Sequence, residues 1–298
     1  MSQDNSLWFI QFLHPGGEHT LREGNIKGWN EKDHRRKYIK NRGTFVSKIN
    51  GPKKEATLGF WGEWEPQSRV ERVTQSLVEG PRFIHSPYLS LPASYDGLKN
   101  TDPFVFGEQF QYTLCQQYKN GRPTKLRNLS EGSVILFGSY LKNRFVLDTV
   151  FVVDHRDDHN ISDFESKLRD KVSPVYMNAT LMPMYEEMKE AGSCTSVAND
   201  VSFGLYYGAT FDKPVKGMFS FFPTLAHDKH PNGFARPSIH IDDIISDNMT
   251  QGFKLNWIEE EGKIQKLWRK VADAVIDAGL ELGVWTELPD QICPGTLK

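Results

Sequence analysis

Residues 133–153 read SVILFGSYLKNRFVLDTVFVV. Two runs rich in β-branched and aromatic residues, 133–138 and 145–153, flank the pair Lys142-Asn143, and this pattern predicts a β-hairpin. Working outward, residues 7–13 (LWFIQFL) form an apolar run of the length of one buried strand, stopped by the turn His14-Pro15-Gly16-Gly17. Residues 31–40 carry charges at helical spacing and are read as a short helix. Residues 44–48 and 56–65 read as strands around Asn50-Gly51-Pro52. Val70, Val73 and Leu77 suggest a helix over 68–78, and 80–103 is a long loop rich in Pro, Ser, Tyr and Gly.

Downstream, Ser162 with Glu165 three residues on has the form of a capping box. A helix is expected over 182–191, strands over 203–211, 215–222 and 238–245, and an amphipathic helix over 262–282 with Ile264, Leu267, Trp268, Val271, Val275 and Ile276 on one stripe. Strands outnumber helices and do not alternate with them, which argues against a parallel βαβ sheet. The expectation is one α+β domain over 1–298: a strongly curved or barrel-like mixed or antiparallel sheet with packed helices. Any subdivision is placed near 155–165.

The 298 residues are long enough for a sizeable core, since folding at this length hides roughly three quarters of the surface of the chain. Seven Trp, nineteen Phe and ten Tyr exclude a disordered chain. No apolar run reaches membrane-spanning length, and the opening MSQDNSLWFIQFLH lacks the layout of a signal peptide. Cys115, Cys194 and Cys293 are sparse and odd in number, so the expectation is a reducing, cytoplasmic setting without a disulfide frame or a cysteine zinc site. The formal charge is -2, yet residues 22–54 hold eleven Lys or Arg against three acids, a local excess of eight that leaves -10 for the remainder. Such a basic segment is read either as a phosphate-holding face or as a solvated polar loop.

Several clusters carry chemistry. His14, Glu18 and His19 lie within six residues of one another at a turn; imidazole and carboxylate suit a divalent metal ion or a phosphate, although the spacing is not the helical H-E-x-x-H. His34, Arg35, Arg36 and Lys37 concentrate positive charge, which either phosphate or an internal acidic patch would offset. In Phe60-Trp61-Gly62-Glu63-Trp64-Glu65, strand alternation puts Trp61, Glu63 and Glu65 on one face and Phe60 and Trp64 on the other. Paired carboxylates suit proton transfer or metal binding, and an indole offers a stacking platform, with a core role for Trp64 as the alternative. Thr101, Asp102, Phe104 and Gln109, followed by Gln111, bring amides near aromatics, and amides pair with base edges. Asp148 interrupts an apolar strand, so it is paired or functional, with Arg144 on the same hairpin as the expected partner. Cys115 has no basic neighbour and is read as a packing residue. No P-loop, dinucleotide fingerprint or nucleophile elbow occurs.

The Gly-bounded hydrophobic run 132–139 and the Val-rich run 145–153 resemble the central hairpin of PUA-like barrels, including ASCH and EVE domains, and domains associated with nucleotide modification. The likeness covers about 25 residues, with Ser133 where many relatives carry Asp. It implies recognition or processing of a modified nucleotide in DNA or RNA through an aromatic pocket. The leading expectation is therefore a nucleic-acid or nucleotide-directed protein, with phosphates on the basic segment, Trp61, Trp64 and Phe104 stacking on a base, and Glu63 and Glu65 hydrogen-bonding it. The alternatives are a metal-assisted hydrolase or nuclease using a divalent ion on His14, Glu18, His19, His34, Glu63 and Glu65, and a non-catalytic interaction protein.

Overall fold

A computed structural model describes residues 6–75, 77–189 and 201–292. Cys194, Cys293, the first five residues and the end of the expected 182–191 helix lie outside them. The fold is mixed α+β and strand-rich, built on two main sheets. The first has six strands in the order Gly252–Ile258, Leu7–His14, Val134–Leu141, Arg144–His159, Phe203–Gly208 and Gln111–Tyr112. Leu7–His14 runs parallel to Val134–Leu141, and the other pairings are antiparallel. In the second, Lys37–Val46, Lys54–Gly62, Phe222–Ala226 and Glu281–Thr286 pair antiparallel in a ring that closes on itself, a four-stranded barrel. Phe83–Ser90 and Ser68–Arg72 extend this sheet from the start of Lys37–Val46. No helix among the described residues is long and apolar enough to cross a membrane.

The hairpin at 133–153 is buried on both sides, which explains its nearly continuous apolar sequence. Ile135, Phe137, Phe151 and Val153 enter one core with the short helices Phe164–Leu168 and Met182–Met188. Val134, Leu136, Leu147, Val150 and Val152 enter a second core. The helix Glu261–Asp277 packs Ile264, Leu267, Trp268, Val271 and Val275 into that second core.

Several local expectations are corrected. Residues 31–40 contain no helix: Lys37 begins a strand, because Tyr38 and Ile39 bury on opposite sides and only a two-residue alternation satisfies both. Residues 68–72 are likewise a strand, since Ser68 and Val70 alternate with exposed Arg69 and Glu71. The expected loop at 80–103 contains the strand Phe83–Ser90. Residues 215–221 hold a tight turn, closed by backbone bonds between Val215 and Met218, and the strand starts only at Phe222. Residues 238–245 form no strand; Ser238 makes a single bridge to Val146.

Candidate functional site

Where the two sheets meet, five segments deliver ionisable side chains to one buried cluster. The turn after Leu7–His14 runs beside the start of Lys37–Val46, with the His19 amide donating to the Arg36 carbonyl at 2.8 Å and the Arg36 amide to the Gly17 carbonyl at 2.8 Å. On its other side the turn lies against the end of Val134–Leu141, where a Cβ on Gly16 would sit 2.8 Å from the Leu141 side chain. The end of Lys54–Gly62 supplies Glu63 and Glu65. Asp148 arrives through a β-bulge: Phe137 faces Thr149 and Gly138 faces Leu147, so Asp148 is the extra residue on its strand. Gly138 is required there, because a Cβ would stand 2.2 Å from the Val146 carbonyl oxygen. The bulge thus re-aims one carboxylate out of an apolar strand.

Arg36 is the hub. Its Nη1 donates to Glu63 Oε2 at 2.7 Å and its Nε to Asp148 Oδ2 at 3.0 Å. Arg236 adds a second cation, 3.5 Å from Asp148 Oδ1, while donating to the Gly16 carbonyl at 2.7 Å and lying over the Trp61 ring at 4.7 Å. Glu63 Oε1 accepts from the Asp102 amide at 3.1 Å, and Glu65 Oε2 accepts from the Asn30 side chain at 2.6 Å. His34 Nδ1 stands between the two acids, 3.3 Å from Glu63 Oε1 and 3.2 Å from Glu65 Oε1. His14 Nδ1 and His19 Nε2 each lie 3.5 Å from one of these carboxylates, too far and too poorly aligned to be hydrogen-bonded. A void of about 10 Å³ beside His14, Arg36, Glu63 and Asp148 has room for roughly one water.

The electrostatics follow from this crowding. Burial opposes charge on Glu63 and Glu65, but Arg36 and His34 beside the first, and His19 and His34 beside the second, outweigh it and hold both below the usual carboxylate range. Burial also opposes protonation of His34, yet Glu63 and Glu65 overcome it and raise its pKa to about 10. His14, buried and facing Arg36, is lowered to about 3 and is neutral at pH 7. Burial lowers Lys37 to about 7; its Nζ donates to the Pro66 carbonyl at 2.7 Å. Burial raises Asp102 to about 6 against the pull of three backbone amides, those of Thr113, Leu114 and Cys115.

The structure therefore gathers His14, His19, His34, Arg36, Glu63, Glu65 and Asp148. Thr101 supports them, its hydroxyl accepting from the Glu65 amide at 3.0 Å. Other expectations are corrected. Glu18 leaves the cluster: it accepts from the Arg82 and Phe83 amides at 2.8 and 3.0 Å and pairs with the Arg82 side chain at 2.8 Å. Arg35, just before the strand Lys37–Val46, faces solvent. Arg144 pairs with Glu79 on the surface, and Asp148 takes Arg36 and Arg236 instead. Trp61 and Trp64 are no stacking platforms: both rings are buried, and their N–H groups donate to the carbonyls of Phe234 and Gln67. Phe104 packs between Trp64, Phe106 and Tyr176. The Asp102 carboxylate faces the 113–115 backbone rather than a ligand. The basic segment is not one face: Arg36 and Lys37 are buried, and Arg42 and Lys53 pair with Glu55 and Asp212. Sequence reading missed Asn30 and Ser139, whose only signal is their tertiary contact with Glu65 and Asp148.

A larger hollow, about 470 Å³, lies on the other side of the 103–107 segment. It is lined by Phe106, Gln109, Gln111, Tyr207, Trp285 and Leu288, with Glu108, Lys171 and Glu287 among its polar residues. Two bulges border it. Val284 is the extra residue before Trp285, and Asp154 the extra residue opposite Gly208 and Tyr207. Gln111, only 6 % exposed, lines this hollow. Of the residues that the sequence pattern singled out, Gln109 and Gln111 line this hollow. Gln109 Nε2 makes long contacts of 3.3–3.4 Å to the Gly208 carbonyl and Asp154.

No family model, no curated protein and no solved structure matches this chain.

Proposed function

We propose that the protein is nucleic-acid or nucleotide-directed and holds a single base in the 470 Å³ hollow. The observation that carries this reading is the lining of that hollow, where the side-chain amides of Gln109 and Gln111 stand with Tyr207 and Trp285. A ligand that covered these amides without pairing them would cost about 1–3 kcal/mol each, so one with a matching donor–acceptor edge is favoured there over a purely apolar one. The half-buried Trp285 offers a flat face, on which stacking of a base contributes about 1–3 kcal/mol, whereas the buried Tyr207 ring is stacked on His155 at 4.4 Å. The hollow also falls within the size range of small-molecule sites, about 300–1,000 Å³.

The acidic lining sharpens the substrate class. Glu108 and Glu287 accept hydrogen bonds only, so they favour bases with an exocyclic amino group, cytosine, adenine and guanine, over uracil. Lys171, exposed and paired with Asp157 at 2.9 Å, is the cation placed to meet a phosphate. The PUA-like likeness of the 133–153 hairpin belongs to this proposal. That hairpin lies in the six-stranded sheet, next to the strand that contributes Tyr207. It is not part of the closed ring.

The test is calorimetric titration with cytidine, adenosine, guanosine and uridine, with chelator present. The amino-bearing nucleosides should bind, uridine more weakly, and Gln111→Ala and Trp285→Ala should each weaken binding by about five- to a hundredfold. Absence of binding by all four, or equal binding by ribose, would overturn the reading.

A further inference from the structure

The nucleoside reading leaves the buried cluster unused, and that cluster has the composition of a metal centre. We propose that His34, Glu63 and Glu65 bind one divalent cation of the zinc or manganese class in a site of open, catalytic type. This inference does not rest on the base-binding reading.

One ligand atom from each residue lies within 4.8 Å of the other two. The His34 Nδ1 separations from Glu63 Oε1 and Glu65 Oε1 are 3.3 and 3.2 Å. Those distances are long for charge-assisted hydrogen bonds, which run at about 2.7–2.9 Å. They match the spacing between two ligands on one tetrahedral ion, about 3.3 Å for metal–ligand bonds near 2.0–2.1 Å. Of the oxygens facing His34, Glu65 Oε1 has no other partner among the described residues, and Glu63 Oε1 has only the Asp102 amide at 3.1 Å. Arg36 takes the other oxygen of Glu63 and Asn30 the other oxygen of Glu65, which would hold each carboxylate in place as second-sphere donors do.

An independent observation comes from the two flanking imidazoles. His14 is 8 % exposed, and neither of its ring nitrogens has a hydrogen-bond partner among the described residues; the buried His19 Nε2 also lacks one. Both stand behind the same carboxylates, His14 Nδ1 3.5 Å from Glu63 Oε2 and His19 Nε2 3.5 Å from Glu65 Oε2, the oxygens turned away from His34. Orphaned buried nitrogens are costly in a finished structural ion network. They lie outside the ligand group of His34, Glu63 and Glu65, and in a metal centre would be donors behind the ligating carboxylates. Borderline divalent ions accept this mixture of imidazole and carboxylate, whereas magnesium and calcium prefer oxygen alone.

Access distinguishes an open site from a structural one. Glu63 and Glu65 are buried, and the His34 side chain is 28 % exposed, so the cation's remaining position would face solvent on that side. Three protein ligands with one open position is the pattern in which zinc carries a water or substrate oxygen. Cys115 is not a ligand: burial, with Asp102 beside it, pushes its thiol well above the normal range.

The test uses the full chain, stripped with chelator and then dialysed against zinc or manganese. Metal content should reach about one equivalent per chain, and the melting temperature should rise with cation concentration. His34→Ala, at a partly exposed position, should fold and lose cation affinity by about tenfold or more, and Glu65→Gln should do the same where it folds. Substoichiometric binding by the wild type, or binding by His34→Ala as tight as the wild type's, would overturn the proposal and leave the cluster as an ion network joining the two sheets. Nucleoside titrations in chelator report on the hollow alone, so the two readings fail separately.

Discussion

Replacing Arg36 with methionine keeps most of the side-chain volume and removes the charge that Glu63 and Asp148 share. The guanidinium is 2 % exposed and within 2.7 and 3.0 Å of the two carboxylates. The cations left to offset their desolvation would be Arg236 on Asp148 at 3.5 Å and His34 on Glu63 at 3.3 Å, beside the neutral donors Ser139 and the Asp102 amide. Breaking a buried pair of this kind costs about 3–5 kcal/mol, because one charge is stranded. At about 2 °C per kcal/mol for a chain of this length, the melting temperature should fall by about 6–10 °C. Adding Asp148→Asn neutralises one stranded carboxylate. The double variant should therefore be more stable than the sum of the singles by at least about 1 kcal/mol. Arg36→Lys should fall between, since a single ammonium cannot span both acids. Chemical denaturation followed by circular dichroism measures all of these proteins. A loss below about 1 kcal/mol for Arg36→Met, or strict additivity in the cycle, would refute the hub role of Arg36.

His159 is buried with Thr113 Oγ1 at 2.8 Å on one nitrogen and the Tyr185 hydroxyl at 2.6 Å on the other, a set that suits the neutral ring, and burial lowers its pKa to about 4. The unfolded chain binds the proton first, so stability should fall by about 3 kcal/mol as pH drops from about 6.5 to about 4. His159→Gln should flatten that part of the stability–pH profile, and an unchanged slope would count against it. Gly138→Ala should cost about 1–3 kcal/mol in denaturant unfolding, because the added Cβ meets the Val146 carbonyl at 2.2 Å and the bulge that aims Asp148 must shift. Arg144→Ala should change the melting temperature by no more than about 1 °C, as expected of a surface ion pair with Glu79; a larger loss would restore the hairpin pairing with Asp148.

The local pattern determined much of the framework. Dense β-branched and aromatic residues at 133–153 specified a hairpin buried on both faces, and the alternation from Phe60 to Glu65 separated the two acids from Phe60 and Trp64. Both are short-range effects, in which a two-residue period assigns each side chain to a face. Charge spacing misled at 31–40, because helical spacing among Lys32, Arg36 and Lys40 carries little energy beside the burial of Tyr38 and Ile39 on opposite sides of a strand. Only the tertiary structure closed the ring of four strands, made Asp148 a bulge residue, and chose Arg36, 112 residues away, and Arg236, 88 residues away, over the adjacent Arg144. The choice of partner for a buried charge is set by which cation shares its low-dielectric surroundings, and that follows from how the sheets pack, not from distance along the chain.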